Sequence, residues 1–291
     1  MNYVKTFVLM LGLMGLFLLV GRAVGGAQGM LFALILASVM NIGAYWYSDK
    51  AVLAMHRARE IGPNDETRLY RVVQRLANSG GLPMPKVYII EDDAPNAFAT
   101  GRNLSHAAVA ASTGILDLLS STELEGVIAH ELAHIKHRDM LSGTVVAVLA
   151  GTIMFLADQM KWAMIFGGGA RRDDDRDSGG LGLIFVMIVA PLAAFLIQMA
   201  VSRSREYAAD EGAAALTGNP GALARALEKI HARIEVEAPL AAATPAMAHL
   251  YIANPFGAGG FMRSMFSTHP AVERRIARLD AIETGRIRPV F

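Results

Sequence analysis

The chain has 291 residues, 53% of them hydrophobic, with a formal net charge of +1 and a mean hydropathy of +0.36. That is too apolar for an ordinary soluble domain, and so balanced a charge leaves no electrostatic footprint for nucleic acid. There is no cysteine, which excludes disulfides and zinc–thiolate sites and leaves His, Asp and Glu as metal ligands.

Four apolar stretches account for the composition: about Val4 to Val20, Met30 to Tyr47, Ser142 to Met160 and Leu181 to Val201. Each approaches the roughly 20 residues needed to cross a bilayer. The first two, joined by a short turn holding Arg22, read as a transmembrane hairpin; a cleaved signal peptide is the rival reading of the first. Asp158 and Gln198 make a buried core helix the alternative for the third and fourth. Four spans place Lys5, Lys50, Arg57, Arg59, Lys136, Arg138, Arg203 and Arg205 on one side, against Arg22, Lys161, Arg171, Arg172 and Arg176 on the other. The excess marks the former side as cytoplasmic.

Between the second and third stretches, Asn64 caps a predicted helix running through Asn78, with Leu69, Val72, Val73 and Leu76 on one face and Gly80-Gly81 ending it. Residues 86–91 (KVYIIE) read as a strand, 96–101 as a short strand or loop, and 106–112 as another strand. Ser120 to Glu123 has the S-x-x-E form of a capping box, so a helix starts there and is expected to lead straight into the third span. That helix contains His130-Glu131-Leu132-Ala133-His134. Four residues turn a helix through about 400°, so the two histidines share one face. Two imidazoles so spaced can grip one zinc ion, with Glu131 within reach of an attacking water. The plain alternative is a charged helix that happens to read HELAH. Further on, 161–180 reads as a solvated loop, 238–266 as an irregular segment or linker, and Pro270 to Glu283 as a helix with Val272, Ile276 and Leu279 at helical spacing. No glycine-rich phosphate loop is present, so no nucleotide partner is expected.

A catalytic zinc usually takes three protein ligands. His137, three residues past His134, lies about 60° beyond the position an i,i+4 partner would take and reads as solvated. Glu206 and Asp210 are better placed: they follow the fourth stretch, at the same membrane face as HELAH, and share one helix face. One can bind metal while the other fixes a ligating imidazole. The alternative is a surface acid pair bridged to Arg203 and Arg205.

Taken together, HELAH, the Ser-Arg-x-Arg-Glu-Tyr-x-Ala-Asp of residues 202–210, Asn96-Ala97-Phe98-Ala99-Thr100-Gly101 and Thr268-His269-Pro270 resemble the HtpX membrane zinc metalloproteases, bacterial relatives of the prenyl-protein (CAAX) endopeptidases. The resemblance covers nearly the whole chain. It implies an α+β, mostly helical integral membrane protein with about four hydrophobic helices and a zincin-like catalytic domain containing a short β-sheet. The expected division is a hairpin at 1–48, the first part of the catalytic domain at 49–141, a second hydrophobic pair at 142–201, and the rest of the catalytic domain at 202–291. The resemblance also implies one Zn²⁺ on His130, His134 and Glu206, with Asp210 behind a ligating histidine and Glu131 as general base. It gives His269 a hydrogen bond to the oxyanion; otherwise His269 merely precedes Pro270 at a helix start. Asn96, Ala97 and Phe98 are expected to present an edge strand to an extended peptide, and Arg274 to hold a substrate carbonyl or carboxylate or merely to pair with the neighbours of Glu273.

Expected partners are polypeptides, membrane proteins above all, and the lipid bilayer. The expected setting is the bacterial inner membrane, with the catalytic domain facing the cytoplasm and a role in quality control and stress. Three rivals stand beside this reading: a catalytically silent zinc-binding membrane chaperone or adaptor, a transporter, and a metal-dependent hydrolase of non-peptide amides. Glu131 argues against the first, and the scarcity of charge inside the spans against the second.

Overall fold

The computed structural model of the chain describes residues 2–65, 67–149, 203–236, 251–252 and 270–289. It opens with a helical run, α1 (Asn2–Met55). This run is not one straight rod. Gly26 has a φ of 60°, a left-handed value that suits a residue without a Cβ. Asn41 Nδ2 donates to the Met10 carbonyl at 3.1 Å, across 31 residues, which a straight helix would hold about 46 Å apart. The two arms therefore lie side by side, and a Cβ on Gly29 would collide with the Gly21 carbonyl. The run is a helical hairpin that turns at Gly26. Among the described residues, Gly26–Met55 is the one helix long and apolar enough to cross a bilayer, and Thr6–Leu19 is a shorter apolar stretch.

A four-stranded mixed sheet follows, built from β1 (Arg59–Ile61), β2 (Lys86–Ile90), β3 (Ala97–Gly101) and β4 (Ala107–Ser112) in the order β1-β2-β4-β3. β2 and β4 are parallel, with Val87 opposite Val109. β3 runs antiparallel to β4, with Phe98 opposite Ala110, and forms an edge. Side chains alternate cleanly between two layers. Val87, Ile89, Ala97, Ala99, Val109 and Ala111 pack into the main core with helix α2 (Arg68–Ser79) and the helix that carries HELAH. Ile90, Phe98, Ala108 and Ala110 face the other way, onto Val52 and Leu53 at the end of α1 and onto Ala147. The sheet thus lies between a polar-side helical core and the end of the apolar hairpin.

Helix α2 is capped by Thr67, whose Oγ1 accepts from the Tyr70 N–H at 3.3 Å. Asn64, expected as the cap, instead sits in a 3-10 turn at Pro63–Asp65, where Asp65 Oδ2 takes the Gly62 N–H. A short helix α3 (Thr113–Leu118) leads to α4 (Ser121–His137), which starts at the expected capping box: Ser120 N–H donates to Glu123 Oε2 at 2.8 Å and Glu123 N–H to Ser120 Oγ at 3.3 Å. α4 does not continue into the next apolar helix. Arg138 stops it in the left-handed region at φ 58°, and helix α5 begins at Met140, described as far as Leu149. The rest of the third stretch, the fourth stretch, the 161–180 loop and most of 238–266 lie outside the described residues.

Among the described residues three more helices follow: α6 (Arg203–Thr217), α7 (Pro220–Val236) and α8 (Val272–Glu283). α7 is not among the elements expected from the sequence, although Asn219-Pro220 is a start signal: Asn219 Oδ1 accepts from Ala222 N–H at 3.1 Å. A Cβ on Gly126 would fall 2.8 Å from the Leu223 nitrogen. Gly126 therefore lets α4 and α7 touch backbone to backbone, at the turn before His130.

Candidate metal centre

His130 and His134 project from one face of α4, and Glu206 and Asp210 from one face of α6, as their i,i+4 spacings require. Packing of α4 on α6 brings the faces together. His130 Nε2 lies 3.2 Å from His134 Nε2, 3.7 Å from Glu206 Oε2, and His134 Nε2 lies 3.6 Å from Glu206 Oε1. Ligands held about 2.05 Å from a tetrahedral ion sit about 3.35 Å from one another. The spacing and the N₂O donor set therefore fit one metal ion, and these three residues form the metal-compatible group among the described residues.

Each imidazole is oriented from behind. His130 Nδ1 lies 2.9 Å from Asp210 Oδ1, so Nδ1–H donates there and Nε2 keeps its lone pair toward the cluster. His134 Nδ1 lies 3.5 Å from Asp139 Oδ2. Asp139 reaches that ring because α4 stops at Arg138, and Arg205, 3.8 Å from Asp139 Oδ1, donates to Ser142 Oγ at 3.0 Å. Behind Asp210 lies Arg275, fully buried. Its Nε and Nη2 donate to Asp210 at 2.9 and 2.7 Å, and its Nη1 to the Ile252 carbonyl at 3.0 Å. Burial alone would raise the Asp210 carboxyl, but the Arg275 charge and the His130 hydrogen bond more than offset it, leaving the group below the usual carboxylate range.

Burial would likewise lower His134, yet the Asp139 hydrogen bond and the charges of Glu206 and Glu131 push it up to about 9. The pocket is built to favour positive charge. Glu131 is buried against this cluster. Burial, helped by Glu206, raises its carboxyl, against the opposing pull of His130, His134 and the Ala99 amide. Glu131 Oε2 accepts the Ala99 N–H at 2.8 Å. Ala99 thus directs its main-chain groups away from β4, and by antiparallel alternation Ala97 and Gly101 do the same.

Of the residues chosen from sequence, His130, Glu131, His134, Glu206 and Asp210 come together. Asn96, Ala97 and Phe98 lie at and in the edge strand whose next residue meets Glu131. Asn96 Oδ1 is buried without a hydrogen-bond partner. His137 is half-buried and outside the cluster. Arg274 is exposed on α8, and it is the neighbouring Arg275 that enters the site. His269 lies outside the described residues. Asp139 and Arg275 are the two site residues that the sequence reading does not single out. Arg275 carries a signal: it falls on the apolar stripe of Val272, Ile276 and Leu279, where Arg274 does not.

A histidine pair and a glutamate at metal-ligand spacing, beside a buried helix carboxylate that meets an edge strand, define a metallopeptidase. Peptidase family M48 matches residues 63–283, and the chain belongs to that family. Over most of its length it is similar to curated proteins named Protease HtpX homolog. One, from Syntrophotalea carbinolica, is 53% identical over 280 residues, covering 96% of this chain and 98% of the relative. Another, from Desulfatibacillum aliphaticivorans, is 51% identical over 281 residues, covering 96% and 89%. The fold is similar to the crystal structure of S. mikatae Ste24p, with a TM-score of 0.55 at 18% identity; the match covers 96% of this chain, which spans 65% of that protein.

Proposed function

We propose that the chain is a membrane-anchored zinc endopeptidase that cleaves membrane or membrane-associated proteins, in protein quality control and stress. The inner membrane is its proposed setting, with a multi-pass topology and the catalytic part facing the cytoplasm. The observation that supports this best is the juxtaposition of the His130–His134–Glu206 group with Glu131 and the β3 edge.

In this reading His130, His134 and Glu206 hold Zn²⁺, while Asp210 and Asp139 keep both imidazoles turned with Nε2 inward. When bound, the ion supplies Lewis acidity, acidifying water and polarising the scissile carbonyl. Glu131 takes the proton of the attacking water and returns it to the leaving amine, and its raised carboxyl suits both transfers. The substrate backbone lies extended along β3, bonding to main-chain groups of Ala97 and Gly101. Asn96, whose side-chain oxygen is buried without a partner at the start of β3, is assigned to substrate contact. His269 is assigned to the oxyanion. Main-chain recognition selects for extended, unfolded segments more than for side chains, which suits damaged substrates.

Glu131→Gln tests the reading. Purified in detergent, this variant should keep its zinc and lose proteolysis of casein by several orders of magnitude, as chelation should do to the parent. Near-normal cleavage would remove Glu131 as the base. Glu206→Ala should lower zinc content, and full occupancy would move the third ligand elsewhere.

A further inference from the structure

The second arm of α1 has a continuous exposed apolar stripe. Phe32, Ile35, Val39, Ile42 and Trp46 are all exposed and recur every three or four residues. At 1.5 Å per residue, Gly26 and Trp46 are about 30 Å apart, the thickness of a hydrocarbon core. With the Gly26 turn at one boundary, Trp46 and Tyr47 stand at the other, the depth where amphipathic aromatics collect. Two cations meet them there. Lys50 Nζ lies 5.7 Å from the Tyr47 ring centroid, and the Arg102 guanidinium lies 4.9 Å from that of Trp46. Arg102 does not belong to α1; it directly follows β3, in the turn to β4.

We propose that Lys50 and Arg102, held at Tyr47 and Trp46, form a contact site for anionic phospholipid headgroups that seats the β3 edge at the bilayer surface. This rests on the reading of α1 as membrane-spanning. Among the described residues neither cation is paired with a carboxylate, so both charges are available to lipid. Each such cation near an anionic leaflet favours it by about five-fold. Ala99, whose N–H meets Glu131, is three residues from Arg102, about 10 Å of extended chain. The contact therefore fixes the height of the cleft above the membrane, within reach of segments that have slipped out of the bilayer.

Trp162→Phe leaves Trp46 as the single tryptophan of the full chain, which has two. In vesicles, quenching of Trp46 by brominated phosphatidylglycerol is compared with quenching by brominated phosphatidylcholine. The anionic lipid should be preferred by at least about five-fold. The preference should approach unity in Lys50→Gln/Arg102→Gln and persist in Lys50→Arg/Arg102→Lys. Equal quenching in the parent, or an unchanged preference in the glutamine pair, overturns the proposal. Loss of the preference on adding soluble glycerophosphate assigns the site to free phosphate esters and overturns the bilayer source. No quenching by either lipid overturns the membrane reading of α1 and the proposal with it.

Discussion

Asp210 and Arg275 have no solvent contact, so each charge depends on the other. Removing one partner of such a pair leaves a buried, uncompensated ion, at a cost of about 3–5 kcal/mol. Asp210→Ala should therefore lower thermal stability sharply. Asp210→Leu with Arg275→Met should recover most of it, yet bind metal about 10–100-fold more weakly than the parent, because His130 loses the group that orients it. A melt and a metal titration on both variants check this; equal melting of the two would deny the pair its role. A second outcome follows from His134. In the metal-free protein it holds its proton up to about 9, and a metal has to displace that proton. Zinc affinity should fall about tenfold for each pH unit below 9, which competition with a coloured chelator at several pH values measures. The H-E-x-x-H spacing makes His130, Glu131 and His134 legible in the sequence; spacing puts Glu206 and Asp210 on one helix face, and their expected roles come from the family resemblance. Asp139 is hidden there because its place depends on Arg138 adopting a left-handed conformation, for which glycine is the usual signal and arginine is not.

Helix α4 gains its entry from Ser120 and Glu123, and Lys229 of α7 donates to Glu123 Oε2 at 2.8 Å. Burial would raise the Glu123 carboxyl, but the bonds from Lys229 and Ser120 outweigh it and hold the group below its ordinary value. Its contribution is therefore present above the ordinary carboxylate range and lost as pH falls through the lower folded value. Glu123→Gln should cost about 1 kcal/mol at neutral pH and flatten the acid side of a stability–pH curve; an unchanged acid limb would mean that Glu123 adds nothing to the helix start. The capping box is readable because it is local. The strand order is not. β3 and β4 are rich in alanine and buried on both faces, so no alternation of polar and apolar residues marks an inner side. Which strand forms the edge is decided by the parallel pairing of β2 with β4, a contact between distant segments.

The two sheet faces give the whole molecule its logic. One rests on the helices that present His130, His134 and Glu206; the other rests on Val52 and Leu53 of the apolar hairpin. The apolar arms are legible from hydropathy, whereas their packing against the sheet is not: the second apolar stretch reads as ending at Tyr47, and Val52 and Leu53 lie beyond Asp49 and Lys50, although the helix carries on to Met55. The consequence is mechanical. β3 is held between the apolar hairpin and the candidate base, so a defect in the seam should misplace the edge without touching the metal group. Val52→Asp puts a charge into that buried seam. The variant should lose several kcal/mol of stability, retain zinc near the parent level, and lose at least about tenfold in kcat/KM, because misplacing a substrate-positioning strand by about 1 Å costs more than that. Zinc content and peptide cleavage measured on the same folded preparation separate the two effects. Cleavage at the parent rate would show that the hairpin is only an anchor, and that β3 takes its position from α4 alone.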